Sequence, residues 1–276
     1  MKRAVVSIAV LAAALAAASV EPARAQVVMT TLRTTAAAQN VSVSGNWSGY
    51  AVAAAGTTFT DVKGSWVVPS VTCPNRASSY SSFWLGLGGY AAGAQALEQT
   101  GTSSDCQSGR PVYSAWYELI PAPPVTIPLT VAPGDAITAE ATATSATTVQ
   151  LQIQDVTAGT NYSTTQTVTP ADFGSAEWIA EAPSQCAGTR SCRTLPLADF
   201  GTATFTAASA TANGHAGPIS DPAWTSQAIA LGAPSGSLAA SPSDLSPDGS
   251  SFSVAWQASG GQPAFRPRPR SRRWWR

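Results

Sequence analysis

Residues 175–183 read SAEWIAEAP, a short segment of Trp, Ile and Ala that carries two carboxylates four residues apart. Side chains alternate between the two faces of a β-strand, so this stretch places Glu177, Ile179 and Glu181 on one face and Trp178 on the other. Two carboxylates on one face, with a tryptophan on the opposite face, are compatible with a binding cleft, although the solvent-exposed face of any sheet can show the same pattern. The stretch predicts a strand and marks both glutamates as candidate site residues.

Similar segments, rich in Val, Ile, Thr and aromatic residues, recur between Gly, Pro, Ser and Asp. They are residues 49–54, 64–69, 82–88, 112–120, 125–131, 136–143, 148–156, 202–208, 227–232 and 251–256. No helical periodicity persists for long after the N-terminus, and the Ser- and Pro-rich residues 234–248 predict a long loop. Short strands separated by turn residues predict an all-β fold, an antiparallel sandwich or barrel. A length of 276 residues fits one such domain.

The two ends of the chain differ from its middle. Lys2 and Arg3 precede an apolar run, and Ala23-Arg24-Ala25 has the small-x-small pattern of a signal-peptidase site. This pattern predicts a secreted protein with no membrane attachment once the signal is removed. The predicted parts are a signal peptide (1–25), a short extension or pro-segment (26–44), the main domain (45–257) and a disordered Arg- and Pro-rich tail (258–276).

The formal net charge of zero hides an acidic body. Between residues 26 and 260 there are six Lys and Arg residues against fourteen Asp and Glu residues, a net charge of −8. An acidic surface repels phosphate backbones, so nucleic acid is excluded as a partner of this body. A carboxylate-rich chain loses negative charge as the pH falls, which is compatible with tolerance of acid.

The cysteines and the single histidine restrict the chemistry. Four cysteines in an exported chain predict two disulfides. The short CAGTRSC loop favours Cys186 with Cys192, which leaves Cys73 with Cys106, and three pairings are formally possible. The only histidine, His215, lies in a Gly- and Asn-containing stretch typical of a surface loop. The sequence therefore disfavours a histidine-dependent hydrolase and a metal site.

Two further segments add polar residues to the candidate site. Gln99 lies in ALEQTG, directly before the turn-prone run GTSSD. In YSAWYEL, strand alternation places Trp116 and Glu118 on one face, and Tyr113 on the other.

Eight blocks of the sequence resemble the glutamic peptidases (eqolisins, peptidase family G1). They are GNWSGYAV (45–52), GSWVVP (64–69), FWLGLGG (83–89), ALEQTG (96–101), YSAWYEL (113–119), APGDAI (132–137), AEWIAE (176–181) and LADFG (197–201). The blocks occur in the order found in that family and cover nearly the whole body.

The resemblance implies two large antiparallel sheets in a concanavalin-like jelly roll with a concave substrate groove. It implies a monomeric, pepstatin-insensitive acid endopeptidase that acts on proteins or peptides without a metal or cofactor. The catalytic pair carried over is Gln99 and Glu181. Residues expected to line or support the groove are Trp84, Ser103, Tyr113, Ser114, Trp116, Glu118 and Glu177.

The sequence also departs from the family pattern. Ser103 and Ser114 stand where fungal members carry aspartates. Fewer neighbouring carboxylates repel less, which predicts a lower pKa for Glu181.

Two other functions use similar residues. Laminarinase-like glycoside hydrolases carry an E-x-D-x-E pattern on one strand face, but Ile179 replaces the middle aspartate here. A non-catalytic carbohydrate-binding module would use Trp84 and Trp116 as stacking platforms. Cleavage of casein rather than laminarin distinguishes the peptidase from both alternatives.

Overall fold

A computed structural model describes residues 29–30, 41–74, 76–90, 94, 96–187, 191–233 and 235–258. The predicted signal peptide and the tail after residue 258 lie outside these ranges. The strands of the described residues are Met29–Thr30 (β1), Val41–Ser44 (β2), Trp47–Ala53 (β3), Phe59–Val67 (β4), Ser82–Gly88 (β5), Leu97–Gln107 (β6), Arg110–Ile120 (β7), Val125–Thr126 (β8), Ala136–Ser145 (β9), Thr148–Asp155 (β10), Thr160–Thr167 (β11), Ser175–Glu181 (β12), Ser184–Ala187 (β13), Ser191–Thr194 (β14), Thr202–Ala212 (β15), His215–Pro218 (β16), Thr225–Gly232 (β17), Leu238–Pro242 (β18) and Phe252–Trp256 (β19).

The strands form two layers, which confirms the predicted sandwich. The first layer, here called the site sheet, has the order β1-β2-β17-β3-β12-β5-β6-β7-β8. The second, the backing sheet, has the order β11-β10-β9-β4-β15-β19-β18, with β16 also paired to β15. A pairing of β17 with β18 joins the layers. The strand pairs are antiparallel except for the parallel pair β2–β17.

Most predicted strands are present, and the differences have identifiable physical causes. Residues 125–131 contain only the two-residue strand β8, since Pro124 and Pro128 cannot donate ladder hydrogen bonds. The GTSSD run is not a turn but the middle of β6, where β5 and β7 supply partners on both sides. Within the predicted loop 234–248 lies β18. The predicted extension supplies β2, and His215 opens the short strand β16 with an exposed side chain.

The main core lies between the two sheets. Trp178 projects from β12 into this core, is fully buried, and donates its indole N–H to the carbonyl of Lys63 on β4 at 2.7 Å. Gly64 makes room for this ring, because a Cβ at that position would lie 3.0 Å from Trp178 Cδ1. Replacing a buried tryptophan by alanine costs roughly 3–5 kcal/mol, so this residue is a major tie between the sheets.

A second apolar cluster lies on the opposite, outer face of the site sheet. It consists of Trp47, Ala51, Trp84, Leu97, Trp116, Ile179 and Ile229. The alternation predicted for β12 is confirmed, because Ile179 joins the outer cluster while Trp178 joins the inter-sheet core. Central strands of the site sheet are therefore apolar on both faces, and any charged group on the outer face is desolvated. No described segment forms a helix long and apolar enough to cross a membrane.

Candidate active site

Strand register brings the predicted site residues together on the outer face of the site sheet. Across β12, β5, β6 and β7, three rows of paired residues alternate with inward-facing ones. The rows are Glu177, Gly86, Gln99 and Glu118; Ile179, Trp84, Gly101 and Trp116; and Glu181, Ser82, Ser103 and Ser114. Segments far apart in sequence thus contribute to one surface, and Gln99 and Glu181 share a face of the sandwich.

Glu181 is fixed by two hydrogen bonds at the end of β12. Its Oε1 accepts a hydrogen bond from Asn46 Nδ2 at 3.0 Å, and its Oε2 accepts one from the indole N–H of Trp84 at 2.8 Å. The residue is only 2% exposed, so these donors replace most of its hydration. Glu181 is therefore a buried carboxyl group with a defined orientation.

The pKa of Glu181 lies above the usual value of a glutamate, whereas the lower pKa expected from the sequence was relative to family members that carry aspartates and stays a prediction. Burial raises the pKa of Glu181 to about 8, against the lowering effect of N–H donors from Trp84, Asn46 and Trp47. The prediction considered only repulsion from neighbouring carboxylates. Removal from water disfavours the charged form regardless of those neighbours, and here it dominates.

Gln99 is held by Glu118 on the neighbouring strand. Its Nε2 donates a hydrogen bond to Glu118 Oε2 at 2.7 Å, and Gln99 is fully buried. Its carbonyl oxygen, Oε1, has no hydrogen-bond partner among the described residues. Because Glu118 fixes the nitrogen end of the amide, that oxygen and the second N–H remain available to a water or substrate.

Two glycines clear the surface between Gln99 and Glu181. A Cβ on Gly101 would lie 2.6 Å from Trp84 Cβ, and a Cβ on Gly86 would lie 3.0 Å from Gln99 Cβ. The side chains of Trp84 and Gln99 therefore lie beside glycines that carry no side chain of their own. Gln99 and Glu181 do not hydrogen-bond to each other; they lie two strands and two rows apart, with Trp84 in the row between them.

The two serines that depart from the family pattern lie in the row of Glu181. Ser103 Oγ accepts the indole N–H of Trp116 at 3.0 Å and is 3.1 Å from Ser82 Oγ. Ser114 pairs with Ser103 across β6 and β7. Hydroxyl groups here orient Trp116 without adding negative charge.

Glu177 occupies the same face and shares a row with Gln99 across Gly86. It is fully buried, and neither carboxylate oxygen has a hydrogen-bond partner within reach among the described residues. Burial raises its pKa well above the usual value, and nearby Asp172 and Glu98 raise it further. Burial therefore favours the neutral form of Glu177, against the lowering effect of the Ser175 hydroxyl.

Tyr113 does not belong to this surface, which corrects its prediction as a groove residue. It packs against the inter-sheet core, and its hydroxyl oxygen accepts the backbone N–H of Val71 at 3.4 Å. Alternation along β7 is the cause, since Tyr113 is an odd number of residues from Trp116. Tyr113 was included because it lies in the YSAWYEL block of the resemblance, although strand alternation places it on the face opposite Trp116.

Sequence reasoning missed Asn46 and Glu98. Asn46 lies in GNWSGYAV, a block used only to establish the resemblance, and its contact with Glu181 spans 135 residues. Glu98 precedes Gln99 and is fully buried, with a pKa raised to about 8 by burial and by Asp172. A single charged residue inside an apolar run was the only available signal for Glu98.

Both predicted disulfides are present. Cys73 pairs with Cys106, and Cys186 pairs with Cys192 across the β13–β14 hairpin. This hairpin follows Glu181 directly, and Thr194 at its end donates its hydroxyl to the carbonyl of Gly45, beside Asn46. The described residues contain no cluster of His, Cys, Asp or Glu able to hold a metal ion.

An apolar groove of about 1090 Å³ lies near this surface but faces the other way. Ala182, Leu231 and Trp256 are among its lining residues, and they pack with the inter-sheet core rather than with the outer cluster. The groove is therefore separate from the face that carries Glu181.

The chain is similar in sequence to known proteins of one family. Residues 45–237 match the model of the Peptidase A4 family. The chain is 30% identical to Aspergillopepsin-2 from Aspergillus niger over 63% of this chain and 67% of that protein. It is 30% identical to Scytalidopepsin B from Scytalidium lignicola over 67% of this chain and 70% of that protein.

Solved structures show the same fold. A scytalido-glutamic peptidase bound to a transition-state analogue inhibitor superposes with a TM-score of 0.66 at 25% identity, covering 77% of this chain and 98% of that one. The aspergilloglutamic peptidase from Aspergillus niger gives a TM-score of 0.55 at 28% identity, covering 65% of this chain and 99% of that one.

Proposed function

Because this chain belongs to the Peptidase A4 family, we propose that it is a secreted acid endopeptidase that cleaves peptide bonds with Glu181 and Gln99. The membership confirms the resemblance to glutamic peptidases found in the sequence. It also removes the glycoside hydrolase and the carbohydrate-binding module as alternatives. The observation that carries the proposed dyad is a buried, oriented Glu181 on the same sheet face as a glutamine with a free carbonyl oxygen.

The two side chains supply complementary steps of hydrolysis. Ionised Glu181 removes a proton from water, which attacks the scissile carbonyl carbon. The side-chain carbonyl of Gln99 orients that water, and the second N–H of the Gln99 amide donates a hydrogen bond to the developing oxyanion. Loss of one such donor costs about 3–4 kcal/mol in other hydrolases. Protonated Glu181 then donates its proton to the leaving nitrogen as the C–N bond breaks.

The surroundings of Glu181 favour both of its protonation states. Burial favours the neutral acid, which the second step needs, while the N–H groups of Trp84 and Asn46 favour the carboxylate, which the first step needs. A group that takes and returns one proton works best when neither form is strongly preferred. A water molecule that donates a hydrogen bond to the carboxylate favours its ionised form and lowers the pKa of Glu181.

The test is proteolysis of denatured casein from pH 3 to pH 7, with pepstatin present and absent, and with laminarin as a second substrate. We expect casein cleavage by the wild type, insensitive to pepstatin, and no cleavage of laminarin. Glu181→Gln and Gln99→Ala should each lower kcat at least a hundredfold. Gln154→Ala, an exposed glutamine on the backing sheet, is the matched control and should behave as wild type.

Glu177 is the residue that challenges this assignment, since it shares the row of Gln99. Glu177→Gln keeps the shape and neutrality of a protonated carboxyl, so it should lower kcat less than Glu181→Gln does. The opposite order would assign the base to Glu177. Full activity in both Glu181→Gln and Gln99→Ala would refute the dyad.

Secretion as a monomer belongs to the same proposal. The signal-like N-terminus and two disulfides support passage through an oxidising compartment. Expression with the native N-terminus should yield protein in the medium that begins at Gln26 or later. Light scattering at neutral and acidic pH measures the mass, and a dimer would contradict the proposed monomer.

A further inference from the structure

We propose that Asn46, held by Ser44, is a positioning residue that sets the orientation and proton affinity of Glu181. This inference rests on the proposed function of Glu181 as the base. It concerns a residue that does not meet the scissile bond but acts through the carboxyl group that does.

The amide of Asn46 has one orientation because both of its ends are occupied. Ser44 Oγ accepts the backbone N–H of Asn46 at 3.3 Å and that of Trp47 at 3.1 Å. With two donors directed at its oxygen, the Ser44 hydroxyl donates its proton to Asn46 Oδ1 at 3.1 Å. The nitrogen end of the amide therefore points at Glu181 Oε1, to which it donates at 3.0 Å.

The backbone holds the same arrangement from the other side. The N–H of Ala182, next to Glu181, donates to the carbonyl of Asn46 at 2.8 Å. Asn46 thus contacts the Glu181 segment through its main chain and its side chain. Ser44 and Asn46 are each 1% exposed, so water does not compete for these bonds.

This geometry has a chemical consequence. Asn46 Nδ2 donates to Oε1 and Trp84 Nε1 donates to Oε2, so each carboxylate oxygen has one fixed neutral donor. Neutral donors stabilise the carboxylate more than the protonated acid. Removing the Asn46 donor therefore leaves Glu181 Oε1 buried without this hydrogen bond. The carboxylate form is then less stable, and the pKa of Glu181 rises.

The experiment measures the pKa of Glu181 directly and the pH dependence of activity separately. Glu181 is titrated by carboxyl ¹³C NMR in labelled protein, with the resonance assigned by its loss in Glu181→Gln. Asn46→Ala should raise the pKa of Glu181 by about one unit or more. The acidic limb of the kcat profile should move in the same direction, and kcat at the wild-type optimum should fall about tenfold or more, with little change in KM.

Two further variants test the chain of hydrogen bonds from Ser44 through Asn46 to Glu181. Ser44→Ala frees the amide of Asn46 to rotate and should produce a smaller shift in the same direction, which also covers the case in which Asn46→Ala does not fold. Asn46→Asp places a second carboxyl group against Glu181 and should raise its pKa more than Asn46→Ala does. Asn161→Ala, on the exposed side of β11, is the control and should leave both readouts unchanged.

The two proposals fail separately. A pKa of Glu181 that stays unchanged in folded Asn46→Ala and Ser44→Ala overturns the positioning role, even if casein is cleaved. If the wild type cleaves no peptide but the pKa of Glu181 shifts as expected in these variants, the effect of Asn46 on Glu181 is confirmed. The proposed peptidase function, and with it any catalytic role of this contact, is then wrong.

Discussion

Stability of this protein should fall as the pH rises from 5 to 7, because the fold buries carboxyl groups in their neutral form. Burial raises the pKa of Glu98 to about 8, against an ordinary value of 4.5. The folded state therefore keeps a proton that the unfolded chain releases. Such a group contributes its full stability below about pH 4.5, and the contribution is lost as the pH rises through about 8.

The magnitude follows from the size of that pH window. Each such group lowers the free energy of unfolding by about 1.4 kcal/mol for every pH unit between the two pKa values. From pH 5 to pH 7, Glu98 alone accounts for about 3 kcal/mol. Glu181, whose pKa is also raised to about 8, adds a similar amount. Since domains of this kind have total stabilities of roughly 5–15 kcal/mol, the loss is large.

The assay is urea unfolding at pH 5, 6 and 7, followed by tryptophan fluorescence in the Glu181→Gln background, which prevents self-digestion. Adding Glu98→Gln, a shape-matched neutral side chain, should make the pH slope shallower by about 1.4 kcal/mol per pH unit. Asp248→Asn is the control, because hydrogen bonds from Ser246 and Ser250 lower the pKa of that exposed carboxylate. Equal slopes with and without Glu98, or stability that rises towards pH 7, would refute the reasoning.

Four other changes test the disulfides and the packing. Breaking the Cys73–Cys106 disulfide with serines should cost about 4 kcal/mol and breaking Cys186–Cys192 about 2 kcal/mol by the loop-entropy relation, because the bridges span 33 and 6 residues; equal losses in thermal unfolding would contradict that account. Gly101→Ala should destabilise by roughly 1–3 kcal/mol, since the added Cβ would lie 2.6 Å from Trp84 Cβ; an unchanged urea midpoint would contradict it. Trp178→Phe removes the indole bond to β4 and should cost about 1–3 kcal/mol, while a neutral effect in urea unfolding would show that this bond does not tie the sheets.

The sequence predicted strand existence and fold class because burial follows the alternation of side chains. Segments such as 148–156, with apolar residues at every second position, can bury one face only as strands, and β10 occupies residues 148–155. Polar strands escaped prediction. In β11 and in the Ser-rich part of β6, hydrogen bonds to neighbouring strands decide the conformation, and those partners are distant in sequence.

The site was predicted unevenly for the same reason. Side-chain alternation placed Glu177, Ile179 and Glu181 on one face, and the family resemblance selected Glu181 and Gln99. The raised pKa of Glu181 could not be predicted, because local composition does not report desolvation. Whether a carboxyl group is dry depends on what packs over it, and that includes residues from other strands.

By itself, the sequence determined the all-β class, the export signal pattern, the disulfide partners it favoured and the residue types able to hydrolyse a peptide bond. Only the tertiary structure decided that Gln99 faces Glu118, that Glu98 is fully buried, and that Asn46 meets Glu181 across 135 residues. The physical reason is that alternation is a property of one strand, whereas register and burial arise from the pairing of strands that the chain brings together from a distance.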